Sequence, residues 1–108
     1  KVWHETSPAV GKAKFPLVGD PTHQLTNAFG VHIPEEGLAL RGTFIIDPSL
    51  TIKTLEIHSN EIARDVKETV RKLAAAQYTA SHPGQVCPAK WQEGAKTLTP
   101  SLDLVGKI

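Results

Sequence analysis

The only thiol in the sequence is Cys87, within a segment that is rich in proline and glycine. A single cysteine excludes a disulfide inside this chain, and it excludes CxxC motifs and zinc knuckles, which need several thiolates. Three roles stay open for such a residue. It can be an inert buried thiol, a reactive thiol, or a thiol that pairs with a cysteine of another chain.

The other residue types that commonly carry chemistry form no pattern that is typical of a site. The five histidines have no metal-ligand spacing, so we take them as structural or surface residues. Asp20 and Asp47 each precede a proline, which is typical of turn residues rather than of catalytic carboxylates. No glycine-rich phosphate loop is present. We therefore expect no bound metal and no cofactor.

The composition indicates a globular protein and excludes two broad classes. Of the 108 residues 40% are hydrophobic and 21% are charged, and the net charge is +1. No cluster of Lys and Arg predicts nucleic-acid binding, and no apolar run has the length of a membrane span. The sequence starts KVWHETSPAV, without Met or an apolar signal segment. We expect a cytosolic protein whose chain starts within a longer sequence or after processing.

The pattern of the first half predicts α/β structure. FPLVGDP (15–21) indicates a short strand, and HQLTNAF (23–29) indicates a short helix that is capped by Asp20 or Thr22 and stopped by Gly30. RGTFIID (41–47) and TIKTLEIH (51–58) predict a β-hairpin around the turn DPSL. The continuous run Phe44-Ile45-Ile46 predicts a strand that is buried on both faces.

The second half predicts one long helix followed by an arm. Residues 61–78 place apolar side chains at helical spacing, with Ser59 or Asn60 as the N-cap and His82-Pro83-Gly84 as the stop. The predicted stripe consists of Ile62, Val66, Val70, Leu73 and Gln77. Residues 79–108 are too long for a plain loop, and we expect an arm that packs on a partner or switches between states. A frayed C-terminus is the alternative.

Several segments together resemble the typical two-cysteine peroxiredoxins, and most closely the bacterial alkyl hydroperoxide reductase kind. The arm YTASHPGQVCPAKWQEG contains the VCPAxW signature of the family's resolving cysteine. WHETS, FPLVGDPTHQLTNAFGV, GLALRGTFIIDP, AAAQY and the ending LVGKI follow the family's order along essentially the whole chain. The resemblance implies a thioredoxin-like α/β fold that is incomplete here, with residues 1–78 as the C-terminal part of that domain and 79–108 as the arm.

The resemblance also implies roles for three side chains. Cys87 would be the resolving cysteine, which forms an intersubunit disulfide with the peroxidatic cysteine of another chain. Arg41 would stabilise the thiolate and bind peroxide oxygen, since a guanidinium is always charged and presents its donors in a fixed fork. Arg71 would support that pocket. From spacing alone, a surface charge near Glu35 and Glu36 is the favoured interpretation of Arg41. Arg71 is equally a solvated charge that suits the helix dipole.

Trp3 and Trp91 are candidates for the packing that holds the arm against its partner, because tryptophan buries a large area and is enriched at interfaces. Ordinary core or surface packing is the alternative for each. The resemblance implies a homodimer that can build a ring of dimers. It also implies a hydroperoxide substrate and an electron donor that is a flavoprotein disulfide reductase or thioredoxin.

The sequence departs from the family at one essential point. The family's peroxidatic cysteine lies in a Pro-x-x-x-Thr-x-x-Cys stretch, and the sequence contains no such stretch. We therefore expect this chain to be inactive as a peroxidase by itself. Two rivals remain for the function: a non-enzymatic assembly or holdase role that uses exposed apolar strand edges, and a redox-inert binding domain with an accidental cysteine.

Overall fold

A computed structural model describes residues 1–107, and Ile108, the last residue of the predicted arm, lies outside the described residues. The described part of the chain is elongated, with extents of 54 × 32 × 29 Å. Its elements are, in chain order, α1 (Val2–Thr6), α2 (Gln24–Ala28), β1 (His32–Ile33), β2 (Leu38–Ala39), β3 (Arg41–Ile46), β4 (Ile52–His58) and α3 (Val66–Ser81). Short 3-10 helices lie at Val10–Lys12 and Leu102–Leu104.

The predicted β-hairpin is confirmed. Strands β3 and β4 pair antiparallel, with Arg41 opposite His58 at the open end. Asp47 organises the turn, because its Oδ1 accepts hydrogen bonds from the backbone N–H groups of Ser49 (2.9 Å) and Thr51 (3.0 Å). A carboxylate that binds the backbone two residues further along the chain is the usual Asx-turn geometry, so local residues stabilise this turn.

The prediction that β3 is buried on both faces is wrong for the described chain. Ile45 is 8% exposed, whereas Ile46, on the opposite face, is 41% exposed. The sheet that contains β3 has two strands, and Phe44, on the same face as Ile46, is half-buried. Phe44 packs against Phe29, which directly follows α2, with the ring centroids 4.5 Å apart, so this face is covered near Phe44 and exposed at Ile46.

The segment before the hairpin is partly as predicted. Asp20 caps α2, because its carboxylate accepts from the N–H groups of Leu25 (3.1 Å) and Thr26 (2.9 Å). Gly30 ends this region with φ at +67°, which glycine adopts without strain. The predicted strand 15–21 is wrong: the chain is irregular there and pairs with no strand in residues 1–107. Pro16 lacks the N–H that pairing would need.

Helix α3 begins later than predicted. It starts at Val66 rather than at residue 61, and its cap is Asp65 rather than Ser59 or Asn60. The Asp65 side chain accepts from the N–H groups of Lys67 (2.9 Å) and Glu68 (3.4 Å), which satisfies two of the orphan donors of the first turn. The helix ends at Ser81, and the predicted stop at His82-Pro83-Gly84 is confirmed.

The apolar stripe that was predicted for the long helix faces away from the rest of the described chain. Its members are exposed: Ile62 58%, Val66 72%, Val70 59% and Leu73 43%. The partly covered face of α3 carries instead Arg71, Lys72, Ala75, Ala76 and Thr79. Ala75 and Ala76 on this face line an open groove together with residues of β4 and the arm.

The arm folds back on itself. Val86 and Leu98 form an isolated antiparallel bridge in which each backbone N–H donates to the carbonyl of the other, at 2.8 and 2.9 Å. Trp91 lies inside the loop that this bridge closes, and it is 2% exposed. No helix in the described part of the chain combines the length and the apolar character that crossing a lipid bilayer requires.

Candidate functional site

Cys87 lines an open groove of about 380 Å³ between α3, β4 and the arm. The thiol is free and half-buried, and it directly follows Val86 of the bridge. The groove is also lined by three cationic side chains, Lys53, Arg71 and Lys72. Cys87 therefore lies at the wall of an open groove, where a sulfur of another chain can reach it, and not inside a core.

Arg71 connects α3 to the arm. Its Nη1 donates to the backbone carbonyl of Trp91 at 3.0 Å, across the space between helix and arm. Its Nε and Nη2 donate to the two carboxylate oxygens of Glu68 at 2.6 and 2.7 Å, which fixes the guanidinium in a bidentate pair. The hydrogen bonds with Glu68, and to a smaller extent the nearby Cys87, raise the pKa of Arg71 above its ordinary value.

A second set of charges joins α3 to the hairpin. Lys72 donates to Oε2 of Glu56 at 2.5 Å, and His58 Nε2 lies 2.9 Å from Oε1 of the same carboxylate. The hydrogen bond from Lys72 lowers the pKa of Glu56, and the charges of Lys72 and His58 add to the effect. This carboxylate therefore stays ionised at neutral pH and holds the helix against β4.

Arg41 lies outside the lining of this groove. It stands at the start of β3, its side chain is exposed, and its Nε donates to the backbone carbonyl of Asn60 at 2.9 Å. Arg64 binds next to it, donating to the carbonyl of Gly42 at 2.9 Å and to Oγ1 of Thr43 at 3.2 Å. The structure thus brings Cys87 and Arg71 together and places Arg41 at the open end of the hairpin. The roles suggested for these residues stay predictions.

The two tryptophans have opposite surroundings. Trp91 is buried by its own chain: its ring lies 5.1 Å from that of Tyr78, and its Nε1 donates to the carbonyl of Ala95 at 3.0 Å. Trp3 is 70% exposed on α1. Trp91 therefore holds the arm to α3 within one chain, and a contribution of either residue to a subunit interface stays a prediction.

Sequence reasoning missed the aromatic contact that supports Trp91. Tyr78 and His82 stack with ring centroids 3.9 Å apart, and Nδ1 of His82 lies 2.9 Å from the carbonyl of Tyr78. The two residues are four positions apart at the end of a helix, a spacing at which side chains meet, so the signal was present in the sequence. Within residues 1–107 no three His, Cys, Asp or Glu side chains are grouped as metal ligands would be.

Comparison with known protein families defines the class to which the chain belongs. A model of the AhpC/TSA family matches residues 1–55, and a model described as the C-terminal domain of 1-Cys peroxiredoxin matches residues 75–107, which include Cys87. The chain therefore belongs to the AhpC/TSA family, the peroxiredoxins, as its motifs predicted.

Individual relatives narrow the similarity to one kind of peroxiredoxin. The chain is 86% identical over all its 108 residues to alkyl hydroperoxide reductase C of Pseudomonas aeruginosa (strain UCBPP-PA14). It is 53% identical over the same length to the protein of that name in Escherichia coli (strain K12). The chain spans 58% of the length of each of these two relatives.

Solved structures confirm the predicted fold class. The crystal structure of Enterococcus faecalis AhpC matches with a TM-score of 0.74 at 41% identity, over 81% of this chain and 52% of that one. The reduced Plasmodium vivax 2-Cys peroxiredoxin matches with a TM-score of 0.83 at 30% identity, over 94% of this chain and 53% of that one. The described elements thus form part of a thioredoxin-like peroxiredoxin fold.

Proposed function

We propose that the protein containing this sequence is a thiol-dependent peroxidase that reduces hydrogen peroxide and organic hydroperoxides, with Cys87 as its resolving cysteine. The observation that carries the proposal is the position of the chain's single thiol, in a groove that it shares with Arg71, in a chain 86% identical to an alkyl hydroperoxide reductase C. Thiol–disulfide chemistry needs a thiol that a second sulfur can reach, and Cys87 is half-buried in an open groove.

The proposed reaction takes three steps. A peroxidatic thiolate from another chain attacks the terminal oxygen of ROOH, the O–O bond breaks, and the products are an alcohol and a cysteine sulfenic acid. The thiol of Cys87 then attacks the sulfenic sulfur, forming an intersubunit disulfide and releasing water. A dithiol reductant, either a flavoprotein disulfide reductase or thioredoxin, returns two electrons and two protons and restores both thiols.

The proposal assigns supporting roles to the remaining predicted residues. Arg41 would stabilise the peroxidatic thiolate and the developing charge on the leaving oxygen. Its exposed guanidinium uses one N–H group to bind Asn60, and its other N–H groups could donate to these atoms. Arg71 would hold the arm through the carbonyl of Trp91. Residues 1–78 would be the part of the domain that supports the site, and residues 79–108 the arm. The exposed Trp3 would contribute to contacts between subunits in a homodimer or a ring of dimers.

The proposal also requires that this chain be inactive by itself. Its single cysteine can supply one of the two sulfurs of the disulfide and no more. Catalysis therefore needs a second thiol from a partner, and the chain alone should neither consume peroxide catalytically nor form an internal disulfide.

The test is mass spectrometry of the protein under non-reducing conditions after treatment with one equivalent of hydrogen peroxide. We expect a disulfide-linked dimer whose cross-link maps to Cys87, and no such dimer in Cys87→Ser. Ala89→Ser, two residues further along the arm and exposed, is the matched control and should still form the dimer. A dimer that persists in Cys87→Ser, or an unmodified Cys87 after peroxide, would refute the resolving role.

A second function is favoured by one observation. Large apolar side chains are exposed on α1, on the irregular segment after it and on the stripe of α3, including Trp3 (70%), Phe15 (68%) and Val66 (72%). Such surfaces bind other apolar chains, so the alternative is an assembly or holdase role. Suppression of aggregation of a heat-denatured client protein would survive Cys87→Ser if this role is correct, whereas peroxide reduction would not.

A further inference from the structure

The loop that carries Cys87 is closed at its base by more than the backbone bridge. The side chain of Gln85 reaches across to the opposite end of the loop and contacts the residues on both sides of Leu98. Its Nε2 donates to Oγ1 of Thr99 at 3.0 Å, and its Oε1 accepts from the hydroxyl of Thr97 at 2.6 Å. We call Gln85, Thr97 and Thr99 the clasp. One carboxamide thus ties together both threonines that flank the bridge partner of Val86.

The clasp and the thiol are mechanically connected. Cys87 lies two residues from Gln85 along the chain, and both residues line the groove beside α3. The backbone hydrogen bonds of the bridge are few, so alone they would open easily at the end of an arm. Gln85 and Thr97 are half-buried, which shields their hydrogen bonds partly from competing water. Closing the base of the loop therefore holds Cys87 on the groove side.

We propose that Gln85 is a positioning residue for Cys87: the clasp keeps the loop closed and the thiol in the groove, and its opening releases the thiol toward its partner sulfur. The proposal rests on the resolving role proposed for Cys87 where it concerns disulfide formation. Its geometric part, that the clasp limits the exposure of the thiol, is independent of that role. Gln85 contributes no atom to the reaction and acts only through the loop.

The test compares the rate at which iodoacetamide alkylates Cys87 in the reduced protein and in its Gln85→Ala variant. Peptide mapping identifies the Cys87 product, so that alkylation of any other thiol does not interfere. The rate is measured as a function of pH, which separates access from ionisation of the thiol. Because Cys87 is half-buried, opening of the loop should increase its access to the reagent, and the rate should rise with the open fraction. We expect Gln85→Ala to raise the plateau rate about tenfold, or about 1.4 kcal/mol of loop closure, without moving the midpoint of the pH profile.

Hydrogen exchange at the amides of Val86 and Leu98 provides the second measurement. Exchange there should accelerate in Gln85→Ala and in Thr99→Val, which removes the hydroxyl and keeps the shape, while protection in α3 stays unchanged. Gln85→Glu retains two oxygens that accept from the two threonine hydroxyls, so its bridge amides should stay protected. Gln92→Ala is the matched control, because Gln92 lies inside the same loop and its side chain makes no hydrogen bond within the described residues.

Three results would overturn the proposal. The first is an unchanged alkylation rate in both Gln85→Ala and Thr99→Val. The second is an equal acceleration in Gln92→Ala, which would mean that any change in the loop suffices. The third is a loss of protection throughout α3, which would mean general destabilisation. None of these measurements uses peroxide, so failure of the clasp can be distinguished from failure of Cys87 to form a disulfide.

Discussion

The arm and the N-terminal segment each contain one tryptophan, and one side chain is buried while the other is exposed. Trp91 is 2% exposed, with its indole N–H bonded to Ala95 and its ring against Tyr78. Trp3 is 70% exposed and lies beside other apolar side chains, Phe15 and Leu17, which are themselves 68% and 52% exposed. Trp91 therefore finds its packing partners within this chain, on the arm and on α3, whereas the N-terminal segment presents an apolar surface that residues 1–107 leave uncovered.

Helix α3 shows the same contrast between its two sides. The side that faces the arm and β4 is held by specific polar contacts from Arg71 and Lys72. The side that carries Val66, Val70 and Leu73 stays exposed within the described part of the chain. The spacing of apolar residues thus predicts which side of a helix can be buried. It does not predict whether that side is covered by the same chain.

Truncation of the two tryptophans is the strongest way to test this contrast. We expect Trp91→Ala to lower the free energy of unfolding by about 3–5 kcal/mol, because a large buried ring is replaced by a cavity. Trp3→Ala should change it by less than about 0.5 kcal/mol in the chain as described, since an exposed side chain loses few contacts. Urea denaturation followed by far-UV circular dichroism measures both. Equal losses would show that another surface covers Trp3 in the protein.

A close approach in the hairpin gives the next largest effect. A Cβ atom at Gly42 would lie 2.7 Å from the ring of Phe44 and 3.0 Å from a methyl group of the buried Val31. Gly42→Ala should therefore destabilise the protein by about 1–3 kcal/mol through overpacking. Gly19→Ala is the matched control, because no atom lies within 4 Å of the added methyl group there. A neutral Gly42→Ala would show that the Phe44 ring moves aside freely.

Sequence patterns predicted those parts of the fold whose determinants lie close together in the chain. The hairpin and the Asp20 cap of α2 follow from turn residues within a few positions, and both were found. The start of α3 was missed because Ser59, Asn60 and Asp65 are all good caps, and no propensity decides between them. The strand expected at 15–21 failed because a strand needs a partner, which residues 1–107 do not supply.

The candidate site was predictable to a smaller degree than the fold. The motif around Cys87 identified the thiol, but no periodicity relates Arg71 to the carbonyl of Trp91 twenty residues later. The hydrogen bonds of Gln85 were equally hard to predict, because its partners Thr97 and Thr99 follow more than ten residues later, beyond an irregular loop. When two elements are connected by an irregular segment, packing determines their contacts. Local sequence patterns do not predict such contacts.

The contact between α3 and the arm is tested by replacing Arg71. Arg71→Ala removes the donor to the Trp91 carbonyl, so the amides of the loop 86–98 should exchange faster with solvent while those of β3 and β4 keep their protection. Arg71→Lys should rescue this only in part, because an ammonium cannot bind Glu68 and the carbonyl with the same fork. Lys67→Ala, on the exposed side of the same helix, is the control and should leave the arm unchanged.

The smallest expected effect is on the pH dependence of the free energy of unfolding. Because Lys72 lowers the pKa of Glu56 in the folded protein, the unfolded chain binds a proton at higher pH than the folded chain does. The stabilisation from this carboxylate is therefore fully present above its ordinary pKa of 4.5, and it is lost as the pH falls through the lower folded value. Glu56→Gln should reduce this part of the pH dependence of unfolding, measured by urea denaturation between pH 7 and pH 3, whereas Glu93→Gln, exposed on the arm, should leave it intact. An unchanged profile in Glu56→Gln would mean that the ion pair between Lys72 and Glu56 does not stabilise the contact between α3 and β4. Both sides of α3 would then lack a polar contact with the hairpin that contributes to stability.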